Sequence, residues 1–507
     1  MTVVVTTAAE AAALDAATIA AGTPSRLLMQ RAGKAAAVEL IRILGDRASG
    51  GARVLVGGGN NGGDGWVMAA ELARRGIPVE LIEIAAARTD DAKAERADAL
   101  PVLAVARRPG EGAAIVDALI GTGSSGVPRG AIGAAAAAIA KARATGAYVI
   151  SLDLPSGLDA TTGASAGAVE ADATLTFGSV KRGLLISRAS CGRIIALDIG
   201  LLPPAGAAQL PELLTADDVY SMIPAIPARA HKGTRKKVAI IGGSEGMAGA
   251  VLLAAQAAFR SGVGLLRLCV SKGSVSAVHG AAPAALVTEW QPDNEFADAN
   301  VAWADATVIG PGLGKSPRAQ RLAEHVFRGK AKLLVVDADG LNIFSRDAHE
   351  LVELLDGRPS VLTPHPAELG RLLKRGAQEV DAQRFDIALE AARFFGAVVL
   401  LKGTPTIIAA PDGEVRVSAA GTPALATGGS GDVLAGMVGT LLAQTGDPFA
   451  SACAAAWIHG RAAELATGSR SSRGTTLDDV LRMLPDAWQP VDENLAPGVL
   501  AELPAVR

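Results

Sequence analysis

From residue 53 to 199, short runs of aliphatic and β-branched residues alternate with longer Ala-rich segments of helical character. RVLVG (53–57), PVELIEI (78–84), AAIVDALIG (113–121), AYVISLD (147–153) and RIIALDI (193–199) predict strands, and this alternation predicts a parallel sheet with crossover helices. Between 200 and 232 the pattern lapses. Pro203, Pro204, Pro211, Pro224 and Pro227 crowd a stretch with no sustained apolar period, which reads as a domain boundary. The alternation then restarts with KKVAIIGG (236–243) and runs through GLLRLCV (264–270), DATVIGPG (305–312), KLLVVDADG (332–340), PSVLTPH (359–365) and AVVLLKG (397–403). Two successive α/β domains are expected, 1–212 and 213–507, the second ending in Ala-rich helices.

Composition narrows what these domains do. The 507 residues are half hydrophobic and 20% charged, a globular balance, and with 9 Phe, 5 Trp and 2 Tyr there is little material for a base-stacking platform. A net charge of −3 gives no global attraction to nucleic acid or to an acidic membrane, so any phosphate binding must be local. Cys191, Cys269 and Cys453 lie far apart and outside any metal-ligand spacing, which suits a reducing compartment. The apolar N-terminus lacks a leading basic residue and is interrupted by Glu10 and Asp15, and no apolar run reaches the length of a membrane span. A cytoplasmic protein is expected.

In the first domain, VLVGGGNNGGDGWVMAAELARRG (54–76) sets a Gly-rich turn between a strand ending near Gly57 and a helix expected to begin near Asp64. Glycines there admit a phosphate or ribose to the main chain, and a helix N-terminus adds partial positive charge. A tight β–α connection also uses glycines, so the turn alone leaves both readings open. Asn60, Asn61 and Asp64 exceed what a turn requires. Asp117, followed by GTGSSG (121–126), and Asp153 of DLPSG (153–157) stand at two more strand ends, where ligands of open α/β sheets collect. Asn61, Asp117 and Ser156 offer hard oxygen donors, which favours a monovalent or alkaline-earth cation over zinc; Asp117 and Asp153 as simple turn caps is the alternative.

In the second domain, ATGGSGDVLAGMVGTLLAQ (426–444) opens a helix with GGSGD, an anion hole holding a carboxylate. Asp432 beside a phosphoryl group reads as a general base, with an ordinary helix N-cap as the plainer alternative. KGTPT (402–406) adds a lysine and two hydroxyls suited to nucleotide phosphates, and GGSEGMAGA (242–250) and GPGLG (310–314) are further glycine loops. His365 sits in a Pro-His-Pro loop, and Asp337 and Asp339 are placed to meet a Mg²⁺-nucleotide through water. The remaining histidines, at 231, 279, 325, 349 and 459, form no metal spacing and read as surface or packing residues.

GNNGGDG (59–65), VDALIGTG (116–123), DLPSG and TFGSVKRG (176–183) together resemble the epimerase domain of NAD(P)H-hydrate repair proteins. HKG (231–233), the two glycine loops, DADGLN (337–342), LTPHPAEL (362–369), LKGTPT and ATGGSGD, in that order, resemble the partner dehydratase domain. The resemblance implies a Rossmann-like parallel-sheet domain followed by a ribokinase-like α/β domain. It implies epimerisation of hydrated nicotinamide coenzymes at C6 in the first, and in the second dehydration of the S epimer at the expense of ADP, giving AMP and phosphate.

Carried over by motif, the hydrate would contact Asn60, Asn61, Gly62, Gly63, Asp64, Gly121, Thr122, Gly123, Ser124, Ser125, Gly126, Val127 and Asp153, with K⁺ on Asn61, Asp117 and Ser156. In the second domain it would contact Ala250, Gly312, His365 and Asp432, with the nucleotide on Lys402, Gly403, Thr404, Pro405, Thr406 and Gly431 and Mg²⁺ entering with it. Asp153 and Asp432 are the expected catalytic residues. The expected partners are NADH and NADPH hydrates, ADP and further copies of the chain in a homo-oligomer, with no nucleic acid and no membrane. Thr404 and Ala367 depart from the family pattern, which often has Ala and Gly there, so nucleotide choice is less fixed than the reaction. The alternatives are an ATP-dependent dehydratase, or a ribokinase-like small-molecule kinase fused to a nucleotide-binding scaffold domain.

Overall fold

A computed structural model describes the chain apart from residues 1, 124–125, 204–208, 292, 330, 469–470, 492–494 and 507 and the side chain at 294. It divides into two compact units, 1–212 with 494–507, and 213–493.

The sheet of the first unit runs in the order Val499–Leu503, Arg193–Leu197, Ala173–Phe177, Val149–Leu152, Ala114–Ala118, Ala52–Val56, Val79–Glu83. All neighbours are parallel except the first pair. From Ala52–Val56 the chain winds first to one side and then to the other, so the switch point lies between Ala52–Val56 and Ala114–Ala118, where α/β sheets open a ligand crevice. Apolar side chains cover both faces: Val54, Val56, Val116 and Leu175 on one, Leu55, Ile115 and Val149 with Ile139 on the other.

The helix expected to begin near Asp64 begins at Asn60, with Gly59 as its N-cap, so Asn60 and Asn61 are in its first turn and Asp64 lies one turn further in. Close packing explains why glycines enter a helix here. A Cβ at Gly62 would lie 2.0 Å from the Gly57 carbonyl oxygen and one at Gly65 2.7 Å from Ala118 Cβ, so the helix presses onto the sheet only because they are absent.

The second sheet runs Leu286–Glu289, Leu265–Val270, Lys237–Ile241, Ala306–Ile309, Leu334–Val336, Ser360–Leu362, Val398–Leu401, Thr406–Ala409, Val415–Ser418 and ends on Glu212–Leu213. It is parallel as far as Val398–Leu401 and antiparallel through the next two strands. The helices Ser430–Thr445 and Pro448–Thr467 are buried along most of their length. Gly436 packs onto the Ala254 carbonyl oxygen and Gly439 onto Val308, each where a Cβ would lie near 2 Å from its neighbour (2.1 and 2.2 Å). Parallel pairing brings Asp337, Thr363 and Lys402, each just past a strand, to one edge of the sheet.

The expected second domain, 213–507, is too long at its end. Residues 494–507 return to the first unit, where Val499–Leu503 pairs antiparallel with Arg193–Leu197 and Glu502 bridges Arg42 at 2.7 Å and also Arg193. Truncation after residue 493 removes an edge strand and both ion pairs. It should cost the first unit about 2–3 kcal/mol, seen by calorimetry as a fall of roughly 5–10 °C in its own transition with the second unit's unmoved. An unmoved first transition would show that the tail is no part of that fold.

Candidate active sites

The first unit holds a cavity of about 900 Å³ at the switch point, lined by Asn60, Asn61, Asp64, Gly121, Thr122, Gly123 and Asp153 among others. Asp153, just past its strand, is held at φ +65°, a left-handed conformation that costs a non-glycine residue about 1–2 kcal/mol. Its carboxylate is fixed at both oxygens: Oδ1 pairs with Lys181 Nζ at 2.6 Å and Oδ2 accepts the Thr122 amide at 3.3 Å. Burial, and behind it the charges of Asp153 and Asp15, pushes the Asp64 carboxyl well above the usual carboxylate range. Asp15, on the helix Ala8–Ala20, is raised too, again by burial first.

Below the cavity, Asp117 is fully buried and accepts four hydrogen bonds, from Ser156 Oγ (2.6 Å), Ser156 N (2.8 Å), Ser151 Oγ (3.0 Å) and Leu119 N (3.2 Å). All four donors are neutral, and burial outweighs them to raise its pKa. Asn61 is buried with neither its amide oxygen nor its nitrogen engaged, two orphaned polar atoms that a ligand would satisfy.

In the second unit one ammonium gathers the acidic side chains. Lys402 Nζ donates to Asp337 Oδ1 at 2.8 Å and lies 3.9 Å from Glu368 Oε2, while Thr363 Oγ1 donates to the same Asp337 oxygen at 2.7 Å. Burial pulls the lysine down, but Asp337 and Glu368 outweigh it and leave its pKa raised. Asp432 is in the first turn of Ser430–Thr445; Gly429 is the N-cap, and no side chain caps this helix, so Asp432 is not the cap that the plainer reading made it. Its carboxyl is pushed up to about 7, by burial first and then by Asp337 against the opposing pull of Lys402. The Ser430 amide donates to the Thr427 carbonyl at 3.3 Å, and the amide of Gly431 follows it in a first turn that no side chain caps, the kind of helix start that can receive an anion. Asp339 accepts the Gly314 amide at 2.9 Å, which ties GPGLG to the same edge.

His365 caps the helix Pro366–Leu373, with Nδ1 accepting from Ala367 N (3.1 Å) and Glu368 N (3.4 Å). Burial is the first cause of its lowered pKa, so the ring is neutral near pH 7 and turns Nε2 toward Glu368 Oε1 at 3.4 Å. Ala250 and Gly312 adjoin, a Cβ at Gly312 lying 3.1 Å from that of Ala250. In the loop after Lys402, Thr406 Oγ1 donates to the Gly403 carbonyl at 3.0 Å, and the buried Arg384 donates to the Pro405 carbonyl; Gly403 and Thr404 are exposed.

The structure therefore brings Asn60, Asn61, Asp64, Gly121, Thr122, Gly123 and Asp153 to one cavity, with Asp117 and Ser156 beneath it. Gly62 and Gly63 do not line it: they are buried against Gly57 and Met29 and serve helix packing. Gly126 and Val127 do not line it either, Val127 being exposed, and Ser124 and Ser125 lie outside the described residues. Lys181 was missed as a site residue although it stands in TFGSVKRG, and so was the pairing of Lys402 with Asp337, which takes up one of the oxygens read as waiting for Mg²⁺. Among the described residues no group of three or more His, Cys, Asp or Glu is arranged to hold a metal ion. His459 is a packing residue, buried on Pro448–Thr467 with its pKa pushed down to about 4 by that burial. The three cysteines are free and buried, and among the described residues no helix is long and apolar enough to cross a membrane.

Two family models match the chain: one described as YjeF-related protein N-terminus over residues 25–183, and one described as NAD(P)H-hydrate dehydratase over 238–486. A bifunctional NAD(P)H-hydrate repair enzyme of Moorella thermoacetica is 34% identical over 516 aligned residues, covering 95% of this chain and 95% of that one. Its counterpart in Escherichia coli is 35% identical over 450, covering 85% and 84%. A solved structure of an ADP/ATP-dependent NAD(P)H-hydrate dehydratase from Bacillus subtilis, co-crystallised with ATP and Mg²⁺, aligns with 56% of this chain and 99% of its own at 30% identity and a TM-score of 0.48.

Gly431 gives the geometry of the second site a direct check, because a Cβ there would stand 3.1 Å from Lys402 Nζ. Gly431→Ala should shift the ammonium and narrow the anion cradle, weakening adenine-nucleotide binding about tenfold in calorimetric titration while the fold survives. Unchanged affinity would place the nucleotide elsewhere.

Proposed function

The chain belongs to the family of bifunctional NAD(P)H-hydrate repair enzymes, and we propose that each of the two activities of that family is housed in one unit: epimerisation at the cavity around Asp153, and nucleotide-driven dehydration at the cluster of Asp337, Lys402 and Asp432. The enzyme interconverts the R and S hydrates of NADH and NADPH at C6 and returns the S epimer to the reduced coenzyme.

The observation that carries the dehydratase assignment is the state of Asp432. A carboxylate in the first turn of a helix beside a transferring phosphoryl group gains nothing by attraction, and its pKa near 7 suits a group that takes a proton at neutral pH. In this reading the C6 hydroxyl attacks the terminal phosphoryl group of the nucleotide and gives its proton to Asp432. With ADP the leaving group is AMP. The C6–O bond then breaks toward phosphate, driven by the ring nitrogen lone pair, and loss of the C5 proton restores the double bond. Lys402 and the amide of Gly431 hold the phosphates, and His365, Gly312 and Ala250 hold the hydrate. Mg²⁺ bound with the nucleotide, within reach of Asp337 and Asp339 through water, would neutralise phosphate charge. ADP is the co-substrate of this reading and ATP its alternative.

Epimerisation needs no nucleotide. The ring nitrogen lone pair opens the C6–O bond as an acid protonates the departing oxygen, and water adds to the other face while a base takes its proton. Asp153 is the acid–base residue of this reading, supported by its place in the cavity and its fixed carboxylate. The residues beneath fit a large monovalent cation, since Asn61 carries an unengaged amide oxygen and Asp117 is a buried carboxyl among neutral donors. K⁺ on Asn61, Asp117 and Ser156 would supply positive charge beside the buried Asp117 carboxyl. A cytoplasmic location belongs to the same reading, supported by three free buried cysteines.

Because Asp432 works as the carboxylate and its pKa is raised to about 7, its active form is lost as pH falls. Dehydratase kcat/KM should rise about tenfold per pH unit below 7 and level off above it. Asp432→Asn should lower dehydration by on the order of 10² to 10⁴ while nucleotide binding and epimerisation survive. Loss of nucleotide binding with turnover intact at saturation would make Asp432 structural. In the other unit, Asp117→Asn should weaken epimerisation and its response to K⁺ at least tenfold and leave dehydration alone; an unchanged ion response would remove the cation from the account.

A further inference from the structure

The turn that carries Lys181 is built to spend its ammonium. The chain leaves the strand Ala173–Phe177, reverses at Gly178 (φ +66°), where a Cβ would lie 2.2 Å from Leu201 Cδ1, and re-enters as the short strand Val180–Lys181 against Val5–Thr6. This hairpin-like fold directs the side chain back on its own loop. Lys181 Nζ donates to Thr176 Oγ1 at 3.0 Å, to the Phe177 carbonyl at 3.1 Å and to the Ser179 carbonyl at 3.4 Å, and it meets Asp153 Oδ1 at 2.6 Å. With 3% of the residue exposed and its three N–H groups shared among four acceptors, the ammonium has nothing left for a substrate.

We propose that Lys181 is the positioning residue of the epimerase cavity, occupying Oδ1 of Asp153 so that Oδ2, the oxygen beside the cavity-lining Gly121 and Thr122, is the one that exchanges protons at C6. Gly121 supports this division, since a Cβ there would lie 3.2 Å from Asp153 Oδ2 and obstruct that oxygen. Two carboxyls in one cavity then take complementary roles. Asp64, which lines the same cavity and whose carboxyl burial and acidic neighbours push toward the protonated form, gives a proton to the departing C6 oxygen, which leaves as water. A water on the opposite face bonds to C6 and gives a proton to Asp153 Oδ2. One proton then passes from Asp153 to Asp64 through solvent, and both groups are restored.

This inference rests on the assignment of epimerisation to the cavity, and the controls keep the two apart: a wild-type chain without epimerase activity contradicts the assignment, whereas an active wild type with unaffected variants contradicts only the role of Lys181. Lys181→Gln, which keeps polar atoms in the loop but removes the charge, should lower epimerase kcat about 100-fold with KM changed less than threefold, and leave dehydration intact. In an Asp153→Asn background the same change should cost less than threefold, because a residue acting through Asp153 has nothing left to position. If Lys181→Gln fails to fold, Lys181→Arg keeps the charge but replaces the three-donor ammonium with a planar fork and should still cost tenfold or more in kcat. Full and independent losses in both backgrounds, or an unimpaired Lys181→Arg, would overturn the proposal.

Discussion

The 2.8 Å contact between Lys402 Nζ and Asp337 Oδ1 decides what every other acid at the second site can be. Four carboxyls, of Asp337, Asp339, Glu368 and Asp432, influence one another here, and the half-buried Lys402 ammonium faces them. Its strongest partner is the carboxylate it touches. Asp432, which draws less on that charge and is itself buried, is left with a pKa near neutrality. A base made this way costs no dedicated neighbour, because it follows from one cation being shared unequally among several acids. The first unit repeats the arrangement, with Lys181 committed to Asp153 and Asp64 left raised.

Parallel sheets make such sharing easy. Strand ends that are distant in sequence arrive at one edge, so the aspartates, lysines and glycine turns of neighbouring strands meet without any of them being adjacent in the chain. The glycines do mechanical work at these edges. Gly62 and Gly65 let the helix Asn60–Arg74 settle on the first sheet, and Gly436 and Gly439 let Ser430–Thr445 settle on the second.

Much of this was legible in the sequence because it is local. Every predicted strand run contains a strand, and Asp153, Lys402 and Asp432 stand in motifs whose chemistry can be read over a few residues. What was not legible depends on contacts across the fold. The Lys181–Asp153 pair spans 28 positions and exists because two strands lie side by side, and nothing in TFGSVKRG alone says where the lysine points. The helix start at Asn60 was hidden because glycines read as turn, their poor helix propensity being overridden by packing on Gly57. Residues 499–503 carry little strand pattern, and only their pairing with Arg193–Leu197 assigns them to the first unit. Asp337 was expected to meet Mg²⁺ through water, but the sequence could not show that Lys402 and Thr363 already share its Oδ1.

The central claim is that two separate sites, each organised by one lysine, form a single repair route. The most direct measurement supplies the full-length enzyme with an equilibrated mixture of R and S NADH hydrates and ADP or ATP, and follows recovery of NADH absorbance to completion. The account predicts recovery of all the coenzyme, fast for the S fraction and then at the pace of epimerisation for the R fraction. Recovery that stops at the S fraction and never exceeds the spontaneous rate thereafter, or phosphorylated product that accumulates in place of NADH, would contradict it.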